Sequence, residues 1–103
     1  DCFDNTHPCY AGELGFGVNP QLAARVREAD LIVALGTRLG EVTTAEYTLL
    51  APPFPRQPLV HVHPDAGELG RVYRPDVAVP TRPEAFVAAL ESALPATPLA
   101  DEW

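Results

Sequence analysis

Two short polar loops carry the residues best suited to chemistry, and each follows an apolar run. Gly36 and Arg38 stand in Gly36-Thr37-Arg38-Leu39-Gly40, directly after Leu31-Ile32-Val33-Ala34-Leu35. His61 lies in Leu59-Val60-His61-Val62-His63, and Asp65 follows it across Pro64. A glycine lets a ligand approach the backbone, a guanidinium offers a fork of donors to a pyrophosphate, and a carboxylate accepts from a ribose hydroxyl. These types suit an anionic or nucleotide ligand. Plainer readings stand beside each of them. Arg38 can pair with Glu41 or another nearby acid, and Asp65 can cap a helical turn that begins at Ala66. His61 and His63, two apart on a strand, share one face. They form either a metal pair joined by His7, Cys2 or Cys9, or strand-end histidines bonded to backbone; no second Cys or His stands at finger-like spacing. Glu13, Glu41 and Glu46 show no pairing that demands acid–base work, so the sequence points to a site without a complete catalytic set.

The elements that must position these loops follow from the apolar pattern. Short apolar runs bounded by Gly and Pro read as buried strands of a parallel sheet, here at 31–35, 59–63 and, more briefly, 77–79. Ligands collect at the carboxyl ends of such strands, which is where both loops lie. Before the first strand, Asn19-Pro20 gives a strong helix start, and Leu22, Ala23, Val26 and Ala29 recur at helical spacing. Gly12, Gly15 and Gly17 mark a turn-rich approach to that helix. A short helix is expected at 43–50, ended by Ala51-Pro52-Pro53-Phe54-Pro55, and one or two helical turns at 66–72. Thr81-Arg82-Pro83-Glu84 reads as a capping box opening a helix through Phe86, Val87, Leu90 and Leu94. The expected fold is α/β: a three-layer, Rossmann-like parallel sheet of about three strands, partial, flanked by helices, with at least one unpaired edge. The domain boundary falls at 94, leaving 95–103 as linker.

Composition narrows the function classes. The 103 residues are 47% hydrophobic, enough for one modest core, and carry a net charge of −7. All seven basic residues are Arg; they form no basic stripe, which argues against nucleic-acid binding. No apolar run approaches the length of a membrane span, and no signal-peptide pattern opens the sequence. Two cysteines in an acidic α/β chain favour reduced thiols and a cytoplasmic setting. There is no methionine at all, and the chain reads as a piece of something longer.

Three stretches carry a family resemblance: His7-Pro8-Cys9-Tyr10-Ala11-Gly12-Glu13-Leu14-Gly15, Ala29-Asp30-Leu31-Ile32-Val33-Ala34-Leu35-Gly36-Thr37-Arg38, and Val60-His61-Val62-His63-Pro64-Asp65-Ala66-Gly67-Glu68-Leu69-Gly70. They resemble the central domain of thiamine diphosphate-dependent enzymes of the acetolactate synthase-like group, over residues 3 to about 94. The resemblance implies a parent transferase or lyase that decarboxylates a 2-keto acid and joins or breaks a carbon–carbon bond, the cofactor's ylid doing the chemistry. It also implies that thiamine diphosphate and magnesium are held by neighbouring domains absent here, in a homo-oligomer, and that no catalytic residue lies in this chain. Central domains of this kind bind flavin adenine dinucleotide (FAD), an adenine nucleotide, or nothing. Gly36 and Arg38 match the family's Gly-x-Arg, and His61 and Asp65 match the outer members of its second-strand pattern, so these four are the cofactor-binding residues the resemblance implies. The alternative is a stand-alone nucleotide-binding or interaction module without thiamine chemistry.

Overall fold

A computed structural model describes residues 3–96. Helix α1 (Pro20–Glu28) leads into strand β1 (Ile32–Leu35); strands β2 (Leu59–Val62) and β3 (Val77–Val79) follow, and helix α2 (Pro83–Ala93) closes the order. The three strands form one parallel sheet in the order β1-β2-β3, with Val33 opposite Val60 and Val60 opposite Val77. All three expected strands are present, and the architecture is α/β.

Register sorts the strand side chains onto two faces. Ile32, Ala34, Leu59, His61 and Ala78 share one; Val33, Leu35, Val60, Val62, Val77 and Val79 share the other. The first face carries the core. Ala34 and Leu59 pack with Leu39, Leu50 and Tyr73, and Val26 of α1, Ile32 and Val72 close around them. On the second face Val62 is fully buried, but Val33, Leu35 and Val77 are exposed. Helix α2 buries none of its residues, and Val87 and Leu90 stay exposed despite their helical spacing.

The helix and strand ends are held by specific side chains. Asn19 caps α1 by accepting from Gln21 N–H at 2.8 Å, and Pro20 takes the first turn, as the sequence predicts. At the other end, the Gln57 amide donates to the carbonyls of Val26 (3.0 Å) and Arg27 (2.7 Å), and Arg56 also donates to Arg27 at 2.6 Å. These donors satisfy carbonyls that a helix terminus leaves free. Asp76 binds Leu59 twice: its carboxylate accepts from Leu59 N–H at 2.8 Å, and its own N–H donates to Leu59 C=O at 2.9 Å. The start of β2 is thereby fixed to the approach to β3.

Three local expectations are corrected. The stretch 43–50 forms turns, because Ala45, Glu46 and Tyr47 take φ of 50°, 56° and 62°, which no right-handed helix tolerates. Buried Thr44 holds it there: its hydroxyl donates to Gly40 C=O at 2.8 Å and accepts from Tyr47 N–H at 3.2 Å. The stretch 66–72 is also a run of turns, with Leu69 N–H donating to Ala66 C=O and Arg71 N–H to Glu68 C=O. The Thr81 capping box does not form. Arg82 takes the cap position of α2 with no side-chain cap bond, and Glu84 meets the Arg82 guanidinium at 3.5 Å in full exposure. A proline after Arg82 leaves one fewer orphan amide for a cap to satisfy. The expected linker lies mostly in 97–103, outside the described residues, as does Cys2; Cys9 is a free, exposed thiol.

A left-handed conformation costs a non-glycine residue roughly 1–2 kcal/mol. Exposed Glu46, at φ 56°, should therefore gain stability when replaced by glycine. Glu46→Gly is expected to raise the urea-unfolding free energy by up to about 1 kcal/mol, glycine's larger unfolded-state entropy offsetting part of the relief. A loss of stability would show that this turn is not left-handed in solution.

Candidate functional site

The loop after β1 bends away from the sheet at Gly36. Its N–H continues the ladder to Val62 C=O at 2.8 Å, and its φ is +71°. A Cβ there would lie 2.9 Å from Pro83 Cγ, so both conformation and space require glycine. Thr37 Oγ1 accepts from Leu39 N–H at 3.2 Å, and Leu39 turns inward to 6% exposure while the Arg38 side chain stays outside. His61 fixes this bend from the neighbouring strand. It is 2% exposed, and its Nε2 lies 2.7 Å from Thr37 C=O, which makes Nε2–H the donor. His61 Nδ1 is buried with no hydrogen-bond partner among the described residues.

The loop after β2 is a chain of short-range turns. Asp65 N–H donates to His63 Nδ1 at 3.0 Å, and Asp65 Oδ1 accepts from Gly67 N–H at 2.8 Å. Asp65 C=O then accepts from Glu68 N–H at 3.1 Å. Asp65 thus makes the cap-like bond that its position before Ala66 suggests. The turns carry Glu68 back toward β1, where its Oε1 meets Arg38 Nη2 at 3.2 Å and Arg71 Nη1 at 3.1 Å. Arg38 pairs with an acid from the other loop, while Glu41 has no ion-pair partner among the described residues.

These residues enclose a crevice of about 500 Å³ at the carboxyl ends of β1 and β2. Small-molecule sites run roughly 300–1,000 Å³. Gly36 and Arg38 line it together with Glu41, Val42, Tyr47, Glu68, Arg71 and Val72. Of the four residues singled out from sequence, Gly36 and Arg38 face this space, while His61 and Asp65 do not line it and instead shape its two loops. Sequence reasoning passed over Glu68 and Arg71. Their i, i+3 spacing in a turn was the available signal. A second cavity, of about 520 Å³, borders the first through Glu41 and Val42, and its far wall is the Gly15-Phe16-Gly17 approach, with Phe16 94% exposed. Among the described residues no group of three His, Cys, Asp or Glu is placed to hold a metal ion, and no helix is long and apolar enough to cross a membrane.

A parallel sheet whose first two strands end in an arginine-lined crevice defines an α/β domain with a candidate ligand site at its strand ends. Sequence comparison gives it a family. The family model "Thiamine pyrophosphate enzyme, central domain" matches residues 1–90, and the chain belongs to that family. It is also similar to a protein described as "Probable acetolactate synthase large subunit" from Methanocaldococcus jannaschii, with 27% identity over 78 residues. That alignment covers 76% of this chain and 13% of the relative, so the chain matches only a small part of the larger protein.

Glu68 gives a direct test of the crevice in solution. Desolvation pushes its carboxyl up, but the hydrogen bond and charge of Arg38, and then of Arg71, outweigh this and hold it below its ordinary 4.5. A depressed carboxylate contributes stability that is full above its unfolded value and is lost as pH falls through the folded value. In a carbon-13 NMR titration Glu68 is expected to have its midpoint below 4.5, and Arg38→Met to move that midpoint upward. A wild-type midpoint at or above 4.5 would mean that the two loops do not meet.

Proposed function

We propose that this chain is part of the central domain of a thiamine diphosphate-dependent, acetolactate synthase-like enzyme, and that its crevice holds an adenine nucleotide or the adenine half of FAD. The observation that carries this is the placing of Arg38 and Arg71 in the lining of one crevice at the strand ends, where Gly36 opens the backbone. In this reading Gly36 and Arg38 face the ligand's phosphates. His61 and Asp65 fix the two loops without lining the crevice themselves.

The parent enzyme would decarboxylate a 2-keto acid and condense the product, as a transferase or lyase. When bound, thiamine diphosphate supplies the carbanion chemistry. The residues of this chain do not fit that cofactor or its magnesium. The sequence has no Gly-Asp-Gly, and no metal cluster is found among the described residues. Both would be held by neighbouring domains, in a homo-oligomer, in the cytoplasm. The exposed apolar surface supports a larger assembly: among the described residues β1 has one strand neighbour, and Leu31 just before it and Val33 and Leu35 within it are each more than 40% exposed. Residues of this kind are ordinarily buried in parallel sheets.

Two measurements test the proposal. The reading frame around the chain is expected to encode a glutamate-bearing domain upstream and a Gly-Asp-Gly motif downstream; finding neither would remove the enzyme reading and leave a free-standing nucleotide module. In thermal unfolding, ADP and FAD are expected to raise the midpoint saturably, by the amount a ligand confers when it binds only the folded state. Arg38→Ala is expected to weaken the response about tenfold in affinity, the scale of one charge-assisted hydrogen bond. A flat response to both ligands would reject the nucleotide site.

A further inference from the structure

The Arg38–Glu68–Arg71 triad is arranged unlike an ordinary surface ion pair. One oxygen, Glu68 Oε1, is shared by guanidiniums from the two strand-end loops, at 3.2 and 3.1 Å. The Glu68 side chain is only 11% exposed, whereas those of Arg38 and Arg71 are 65% and 60% exposed. The carboxylate therefore lies beneath two solvent-facing cations. Each guanidinium meets it through one nitrogen, Nη2 of Arg38 and Nη1 of Arg71. A guanidinium carries five N–H donors, so most remain for another acceptor. Because both nitrogens rest on one oxygen they are close together: one phosphoryl group can take the place of that oxygen, and a second, linked to it, adds acceptors for the donors that remain on either guanidinium.

The charge balance points the same way. The crevice wall holds two cations, Arg38 and Arg71, and two anions, Glu41 and Glu68. It is electrically neutral in a chain of net charge −7. A diphosphate entering this space meets no excess positive charge and must compete with Glu68 for the guanidiniums. The neighbouring ion pair of Arg82 and Glu84 has both partners at least 75% exposed and lines no part of this crevice.

We infer that Glu68 is an internal stand-in for phosphate: it preorganises Arg38 and Arg71 as a two-guanidinium clamp for a diphosphate group and competes with that group for them. This rests on the reading of the crevice as a nucleotide site and adds a selectivity to it. The clamp favours diphosphate over monophosphate, and Glu68 sets how tightly. Arg71 belongs to the clamp as fully as Arg38, and Glu68 tunes it without serving as an attractive contact.

The test is calorimetric titration of the full chain with inorganic pyrophosphate, inorganic phosphate and ADP, using wild type, Glu68→Gln and Arg71→Gln, with circular dichroism to check folding. Wild type is expected to bind pyrophosphate more tightly than phosphate. Glu68→Gln is expected to bind pyrophosphate on the order of tenfold more tightly still, one anion having left the wall. Arg71→Gln is expected to lose most of the preference for pyrophosphate over phosphate. If Glu68 only staples the loops, Glu68→Gln will bind pyrophosphate equally or more weakly, and the inference falls while ADP binding keeps the nucleotide site standing. Should Glu68→Gln fail to fold, Arg71→Gln decides: an unchanged pyrophosphate preference overturns the clamp. Absence of ADP and pyrophosphate binding from wild type and from a folded Glu68→Gln alike would sink the nucleotide reading itself. Binding by Glu68→Gln alone would support the competition in its strongest form.

Discussion

The buried hydrogen bond from His61 to the Thr37 carbonyl, 2.7 Å long, is the contact on which the site depends. It runs from the middle strand to the bend after its neighbour, between Gly36 and Arg38. A buried carbonyl without a partner is costly, so the bend is held wherever the His61 ring stays in place. Once it is held, Gly36 can lie against Pro83, Leu39 can turn into the core, and Arg38 can point outward. Other small residues could occupy the same place on the sheet face. A histidine ring also reaches the next loop, which a wholly apolar side chain could pack against but not bind.

This division of labour explains how the sequence reads. Strand positions were legible because Leu31 to Leu35 and Leu59 to His63 are apolar runs with sharp Gly and Pro boundaries, and period and punctuation are local properties. Helix α1 was legible for the same reason, through Asn19 and Pro20. The stretch 43–50 was not. Its apolar Ala45, Leu49 and Leu50 fit a helix, yet burial of Leu49 and Leu50 with Thr44 selects a left-handed turn that no local propensity favours. The capping box at Thr81 failed because the helix begins one residue later than that motif requires, at Pro83 with Arg82 as cap. In the first failure a tertiary constraint overrode a local signal; in the second one local signal, the proline, prevailed over another.

The candidate site was half legible on similar grounds. Gly36 and Arg38 belong to a strand-to-loop transition, and the rule that strand ends gather ligands depends on chain direction alone. Glu68 and Arg71 lie several turns beyond β2, and only the folding of those turns brings them to Arg38. Asp65 and His61 were recognised as important positions by their place at the second strand, and the structure gives them the work of shaping loops. His61 shows why residue type is a weak guide here: the same imidazole can serve as a metal ligand, a base or a structural donor, and burial with one carbonyl partner is what separates these uses.

The crevice is lined by loops that a firm ladder carries. In that ladder Leu59, His61 and Val62 are buried and Asp76 pins the strand start. The crevice walls are loops with few long-range bonds, joined across the opening by Glu68 alone of the carboxylates lining it. Regions with few buried contacts open at lower free energy than the core. A ligand that takes over the guanidiniums from Glu68 would replace one bridge between the loops with another, so the walls could exchange partners without the ladder having to move. Ion pairs at such a boundary add little to stability in water. That makes a shared carboxylate a poor device for holding a fold together and a reasonable one for keeping two cations side by side until a better anion arrives.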